Sequence, residues 1–145
     1  MSINYSEIIY QINCLVKDTD SIYHKAALKL KMSDTVMFIL YLVYENDGKY
    51  LLNNIQKETN ISKQTLNSAI RKLEKEEIIY LEKIDGKKKN VCFTDKGKEY
   101  ADNTIAHLFK AECNTIKKWD DEDIKQYLDL MKQYNQNLKE EIKNM

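Results

Sequence analysis

Not one proline interrupts this 145-residue chain, and it holds only three glycines, at positions 48, 86 and 97. Those two residue types are the main breakers of helix interiors. Long helices therefore meet few obstacles, and a turn-rich all-β sandwich is disfavoured. Apolar spacing locates the helices. Ile8, Ile9, Ile12, Leu15 and Val16 follow Ser6, a residue suited to capping. The pattern stumbles at Asp18-Thr19-Asp20-Ser21 and resumes with Ile22, Tyr23, Ala26, Ala27 and Leu30, so one long helix is expected, with a bend or break near 18–21 as the alternative. Ser33 or Asp34 caps a second helix. Its run Val36–Tyr44 is apolar on nearly every side, which places it at the centre of the fold. Asn46-Asp47-Gly48 ends it, and a short helix from about Leu52 to Thr59 follows.

Asn60-Ile61-Ser62 turns the chain into a fourth helix, capped by Ser62 and stapled by Ile61 against Leu66. Leu66, Ala69, Ile70 and Leu73 form its inward stripe. Beyond Glu77 the period changes to that of strands: Ile78–Ile84, a turn at Asp85-Gly86, and a return through Asn90–Thr94. Thr94 caps a fifth helix with Tyr100, Ala101, Ile105, Leu108, Phe109 and Ile116 as its stripe, and Gly97 in its first turn costs helix stability. Trp119 and the acidic run Asp120–Asp123 open a last helix bearing Ile124, Tyr127, Leu128, Met131, Leu138 and Ile142. The order predicts a mainly α fold of about six helices with a small β-hairpin wing, a winged helix-turn-helix.

The fourth helix carries the functional signal. Opposite its apolar stripe lie Gln64, Ser68, Arg71 and Lys75, with Asn67 at one flank and Thr65 and Lys72 at the other, all preceded by Lys63. Gln and Asn pair with adenine edges, Arg with guanine, and Ser and Thr with bases or phosphates. No acidic residue occurs from Lys63 to Lys72, whereas an ordinary surface helix mixes both signs. The hairpin tip adds Lys87, Lys88 and Lys89, placed for phosphates or an adjacent minor groove. Net charge is zero over the whole chain, but residues 57–98 carry 11 basic against 7 acidic side chains. Residues 1–56 carry 5 against 6 and residues 99–145 carry 7 against 10, so positive charge is gathered where the helix and hairpin lie.

Two stretches resemble the MarR family of bacterial regulators. The segment from Ile61 to Ile79 is similar to the family's recognition helix and its exit into the wing. Asp85-Gly86-Lys87-Lys88-Lys89-Asn90-Val91-Cys92-Phe93-Thr94-Asp95-Lys96-Gly97 is similar to its wing signature, an Asp-x-Arg followed by an apolar strand and a Leu-Thr-x-x-Gly helix start. The resemblance implies an obligate homodimer. Residues 1–32 and 98–145 would form its dimerisation helices and residues 33–97 its DNA-binding lobe. It also implies double-stranded DNA as partner, a pseudo-palindromic operator, and a small, often aromatic effector held between the two regions. Tyr23, His24, Phe38, Tyr41 and Tyr44 are the candidates for such a pocket, against the plainer reading of aromatic core packing. Asp85 aligns with the wing aspartate that orients the basic residue. Three positions depart from the family pattern: Lys87 for the wing arginine, which removes the planar fork, Glu77 for the glycine before the wing, and Phe93 for a leucine.

Other classes receive less support. Cys14, Cys92 and Cys113 form no C-x-x-C pair, which argues against a disulfide framework or a zinc knuckle. A thiol-based redox regulator would depend on Cys14, whose only basic neighbour in sequence is Lys17. A winged-helix module that binds protein and not DNA fits the neutral net charge. An enzyme is not expected: His24 and His107 stand in no nucleophile or metal motif, and there is no glycine-rich phosphate loop. No cofactor or metal is implied. The start of the chain has no basic stretch leading into an apolar run, and the longest apolar run has nine residues against the ~20 that span a bilayer. A cytoplasmic protein without a membrane partner is the expectation.

Overall fold

A computed structural model describes residues 2–145. Along the chain run α1 (Tyr5–Lys29), α2 (Asp34–Glu45), β1 (Lys49–Leu51), α3 (Leu52–Glu58), α4 (Lys63–Lys75), β2 (Ile79–Asp85), β3 (Lys88–Phe93), α5 (Asp95–Asn103), α6 (Ile105–Ile116) and α7 (Asp121–Lys143). The chain divides into two compact units, one ending at His107 and the other running from Leu108 to Met145.

α2 lies at the core of the first unit, as its all-round apolarity requires. Ile39, Leu40 and Val43 are fully buried, together with Ile55 of α3, Leu66 and Leu73 of α4, Val91 of β3, and Ile105. The sheet is antiparallel in the order β1-β3-β2. Val91 lies between Tyr50 and Leu81, and Cys92 between Lys49 and Tyr80. β1 is a strand that the sequence pattern does not announce. Three residues are too few to show an alternation, and β1 is held by pairing with β3, whose partner positions lie 39 to 43 residues on.

Helix ends follow one recurrent device. α1, α2 and α4 each close in a Schellman motif, with a non-glycine residue in the left-handed conformation: Lys31 (φ 59°), Asp47 (φ 60°) and Glu77 (φ 61°). The characteristic long bonds are present, from Met32 N to Ala27 O (3.1 Å), Gly48 N to Val43 O (2.8 Å) and Ile78 N to Leu73 O (2.9 Å). Glu77 therefore makes the turn that glycine makes in the family pattern, at a backbone cost that glycine would avoid.

The long first helix expected from the sequence is α1, which runs unbroken through residues 18–21. Two sequence expectations are corrected. The N-cap of α1 is Asn4, whose side chain accepts from Glu7 N, not Ser6. The expected single fifth helix is two. At Thr104 (φ −130°, ψ −78°) the α-helical run stops, the Thr104 hydroxyl donating back to Tyr100 O at 2.7 Å. The apolar stripe runs on across this break, so periodicity alone does not reveal it.

In the second unit α7 opens with Asp121, Glu122 and Asp123 in its first turn, favoured by the helix dipole. Trp119 meets Tyr127 edge to face, with centroids 5.1 Å apart. No residue of α7 is buried, and Leu128, Met131, Leu138 and Ile142 are all exposed. Among the described residues, no helix is long and apolar enough to cross a membrane.

Candidate nucleic-acid interface

The two ends of α4 are fixed, and its outer face is left open. At the N-terminus Ser62 Oγ accepts from Thr65 N at 3.2 Å, while its hydroxyl donates to Thr65 Oγ1 at 2.9 Å. Leu66, Ile70 and Leu73 anchor the helix in the core. Lys63, Gln64, Thr65, Ser68, Arg71, Lys72 and Lys75 are exposed, and Asn67 is half-buried at the flank. The acid-free polar face read from the sequence is thus a solvent-facing surface of the first unit.

At its C-terminus α4 is tied to the start of α5. Lys96 Nζ donates to Glu76 O at 2.9 Å, a cation on the negative end of the helix dipole. The Thr94 hydroxyl donates to Glu77 O, and Thr94 N donates to Ile78 O at 3.1 Å. Thr94 Oγ1 in turn accepts from Gly97 N at 2.9 Å, capping α5. Gly97 has a role that its helix propensity conceals. A Cβ there would lie 1.9 Å from the carbonyl oxygen of Ile78, so only glycine allows α5 to pass this close to the exit of α4.

The wing is the hairpin β2–β3. Gly86 (φ 54°) opens its turn and supplies the one positive φ of the two-residue connection. Lys87 and Lys88 are exposed and Lys89 is half-buried. Asp85 is exposed and lies opposite Lys88 in the register. Lys83, also exposed, pairs across the strands with Lys89 and adds a fourth cation. The sequence pattern singles out the contiguous lysines and passes over Lys83, which joins them only through strand pairing.

At the root of the wing one face is cross-linked. Lys49 of β1 reaches Glu82 of β2 (Nζ to Oε1 3.2 Å), and Asn90 of β3 donates to the same carboxylate at 3.4 Å. The hydrogen bond from Lys49, and then that from Asn90, hold the Glu82 carboxyl below the usual glutamate range, and the bond to Glu82 raises Lys49. No motif marks these three residues. A chain-wide charge count hides a pair 33 positions apart. Burial pushes the neighbouring Cys92 thiol up.

The candidate effector residues lie on two helices. Tyr23 is half-buried on α1, and Tyr41 and Tyr44 are half-buried on α2. Phe38 stands out, half-exposed on a helix that otherwise supplies the core. His24 is engaged elsewhere, its Nδ1 lying 3.0 Å from both carboxylate oxygens of Asp34. Cys14 and Cys113 are half-buried free thiols. Among the described residues, no group of three or more His, Cys, Asp and Glu side chains could hold a metal ion.

Two linked helices with the second open to solvent, followed by a basic hairpin, define a winged helix-turn-helix. The fold is of the MarR type. It superposes on NMB1585, a MarR family regulator from Neisseria meningitidis, with a TM-score of 0.81 at 14% identity, covering 98% of this chain and 99% of that one. The S. aureus MepR–DNA complex gives a TM-score of 0.66 at 18% identity, covering 94% and 99%. NadR in complex with 4-hydroxyphenylacetate gives 0.64 at 15% identity, covering 92% of each chain. No family model and no curated relative matches the sequence.

Proposed function

We propose that this chain is a sequence-specific transcription regulator that binds a pseudo-palindromic operator as a homodimer and acts as a repressor released by a small aromatic effector. One observation carries the DNA-binding part: the exposed face of α4, without an acidic residue from Lys63 to Lys72, beside a hairpin whose tip holds Lys83, Lys87 and Lys88 in solvent. In this reading Gln64, Asn67, Ser68 and Arg71 meet base edges, and Lys63, Thr65, Lys72 and Lys75 meet the backbone. Lys87, Lys88 and Lys89 track the flanking phosphates, with Asp85 orienting them. The structure of MepR with DNA supports this use of the fold.

The dimer rests on apolar surface. Ile8, Ile9, Leu15, Val16, Ile22 and Leu28 of α1 are exposed, as are the four α7 residues already named. Stripes this long on a single chain are the usual mark of an interface. Residues 1–32 and 98–145 would supply the dimerisation helices, and residues 33–97 the DNA-reading lobe. The effector reading rests on the half-exposed Phe38, the tyrosines near it in sequence, and NadR's complex with a phenolic acid.

Selection of bound duplexes from a random pool tests the proposal. It should enrich an inverted repeat whose half-sites lie about one DNA turn apart, ~34 Å. Affinity should fall steeply as salt rises. An Arg71→Ala, Lys87→Ala double variant should lose most of its affinity. If it binds the selected duplex as tightly as wild type at physiological salt, α4 and the wing are not the DNA-reading surface.

A further inference from the structure

The wing tip holds one side chain that its cationic neighbours do not explain. In the β2–β3 ladder Lys83 pairs with Lys89 and Asp85 pairs with Lys88, so Ile84 is an extra residue with no partner across the hairpin, a β-bulge. Its side chain is 52% exposed. Every other apolar side chain of β2 and β3 except Tyr80 is buried or half-buried, so Ile84 is the one aliphatic group that the wing holds out into water. The exposed lysines 83, 87 and 88 surround it in sequence, with Asp85 the only acid among them. A bulge also re-aims the chain and strengthens its twist, and bulges favour functional rims.

Lysines alone explain attraction to phosphate but not an isoleucine among them. A polar side chain at that place would leave the tip more soluble and equally basic. An apolar side chain set among cations suits a partner that offers an apolar or stackable surface within reach of those charges. Duplex DNA has such a surface in the minor groove, where deoxyribose walls and base edges lie between the phosphate rows. Side chains such as isoleucine are used there as wedges at flexible pyrimidine–purine steps.

Building on the proposed DNA-binding reading, we infer that Ile84 is a specificity-determining residue. It enters the minor groove flanking the α4 footprint and favours a deformable step there, while the wing lysines hold the phosphates on either side. Lysine at position 87 lacks the planar fork of arginine, so sequence preference at this flank comes from the shape and deformability that Ile84 senses and not from a bidentate contact.

The test compares wild type with Ile84→Ser, Ile84→Met and Lys87→Ala by duplex selection and by salt titration on the wild-type selected duplex. Ile84 is exposed and outside the core, and a thermal melt confirms folding of each variant. Ile84→Ser should bind about tenfold more weakly, about 1.4 kcal/mol, with an unchanged salt slope and loss of any TA or CA preference at the flanking position. Ile84→Met should restore both. Lys87→Ala should instead lower the salt slope by about one unit of phosphate contact. If Ile84→Ser stays within twofold of wild type, or changes the salt slope as Lys87→Ala does, Ile84 makes no groove contact and the inference falls while the DNA-binding reading stands. If wild type itself enriches no duplex, the DNA-binding reading falls and this inference with it.

Discussion

Replacing Gly97 by alanine tests a close backbone approach, the place where α5 crosses the exit of α4. The added Cβ would sit 1.9 Å from Ile78 O and 2.9 Å from Ile78 C, against an ordinary contact of 3.4 Å or more. Both clashing atoms belong to the backbone, so no side chain can swing aside. α5 and the exit of α4 at Ile78 must part by about 1.5 Å. Ile78 O also accepts from Thr94 N (3.1 Å), so the separation stretches the bond that ties the exit of α4 to the start of α5. Overpacking of this kind costs about 1–3 kcal/mol. A weakened backbone bond and N-cap add about 1 kcal/mol each, while alanine returns about 1 kcal/mol of helix propensity. The net loss is roughly 2–4 kcal/mol, a fall of about 6–12 °C in Tm for a chain of this size. Urea unfolding at one fixed protein concentration measures it. Gly86→Ala is the control: its φ is 54° but nothing lies within 4 Å of an added Cβ, so only about 1 kcal/mol or so of left-handed strain is expected. A Gly97→Ala midpoint within 0.5 kcal/mol of wild type, by the same analysis, would refute the close-approach argument.

Other outcomes follow from the same geometry. Glu77→Gly should stabilise the chain by about 0.5–1 kcal/mol, because it removes left-handed strain at φ 61° and returns only part of it as unfolded-state entropy; a lower urea midpoint would contradict the Schellman reading. The Glu82 carboxyl, watched by NMR, should titrate below the usual glutamate range and move back up in Lys49→Met. Since its folded pKa is depressed, its contribution to stability is present above the unfolded value near 4.5 and is lost as pH falls through the folded one. Cys92 is 2% exposed and its thiol is raised by burial, so alkylation followed by peptide mass spectrometry should label it only as the protein unfolds in urea. Labelling of Cys92 in the native protein at the rate of a free thiol would show that the wing root opens.

The sequence by itself determined what local physics controls. The absence of proline, the apolar period of α1, α2, α4 and α7, the capping residues Ser33, Ser62 and Thr94, and the Gly86 turn each act within a few residues, so they can be read without coordinates. The face of α4 belongs to the same class, since 100° per residue assigns Arg71 and Ser68 outward as soon as Leu66, Ile70 and Leu73 are known to point in. Tertiary structure decided what depends on meetings between distant positions. β1 exists because β3 offers it a partner. Lys49 and Glu82 lock the wing root across 33 residues. Gly97 looks like a helix weakness until the carbonyl of Ile78 is found against it. Ile84 looks like an ordinary strand residue until the register skips it. These features are energies of pairing and close approach, and a one-dimensional pattern records which residues are available to meet but not which of them do.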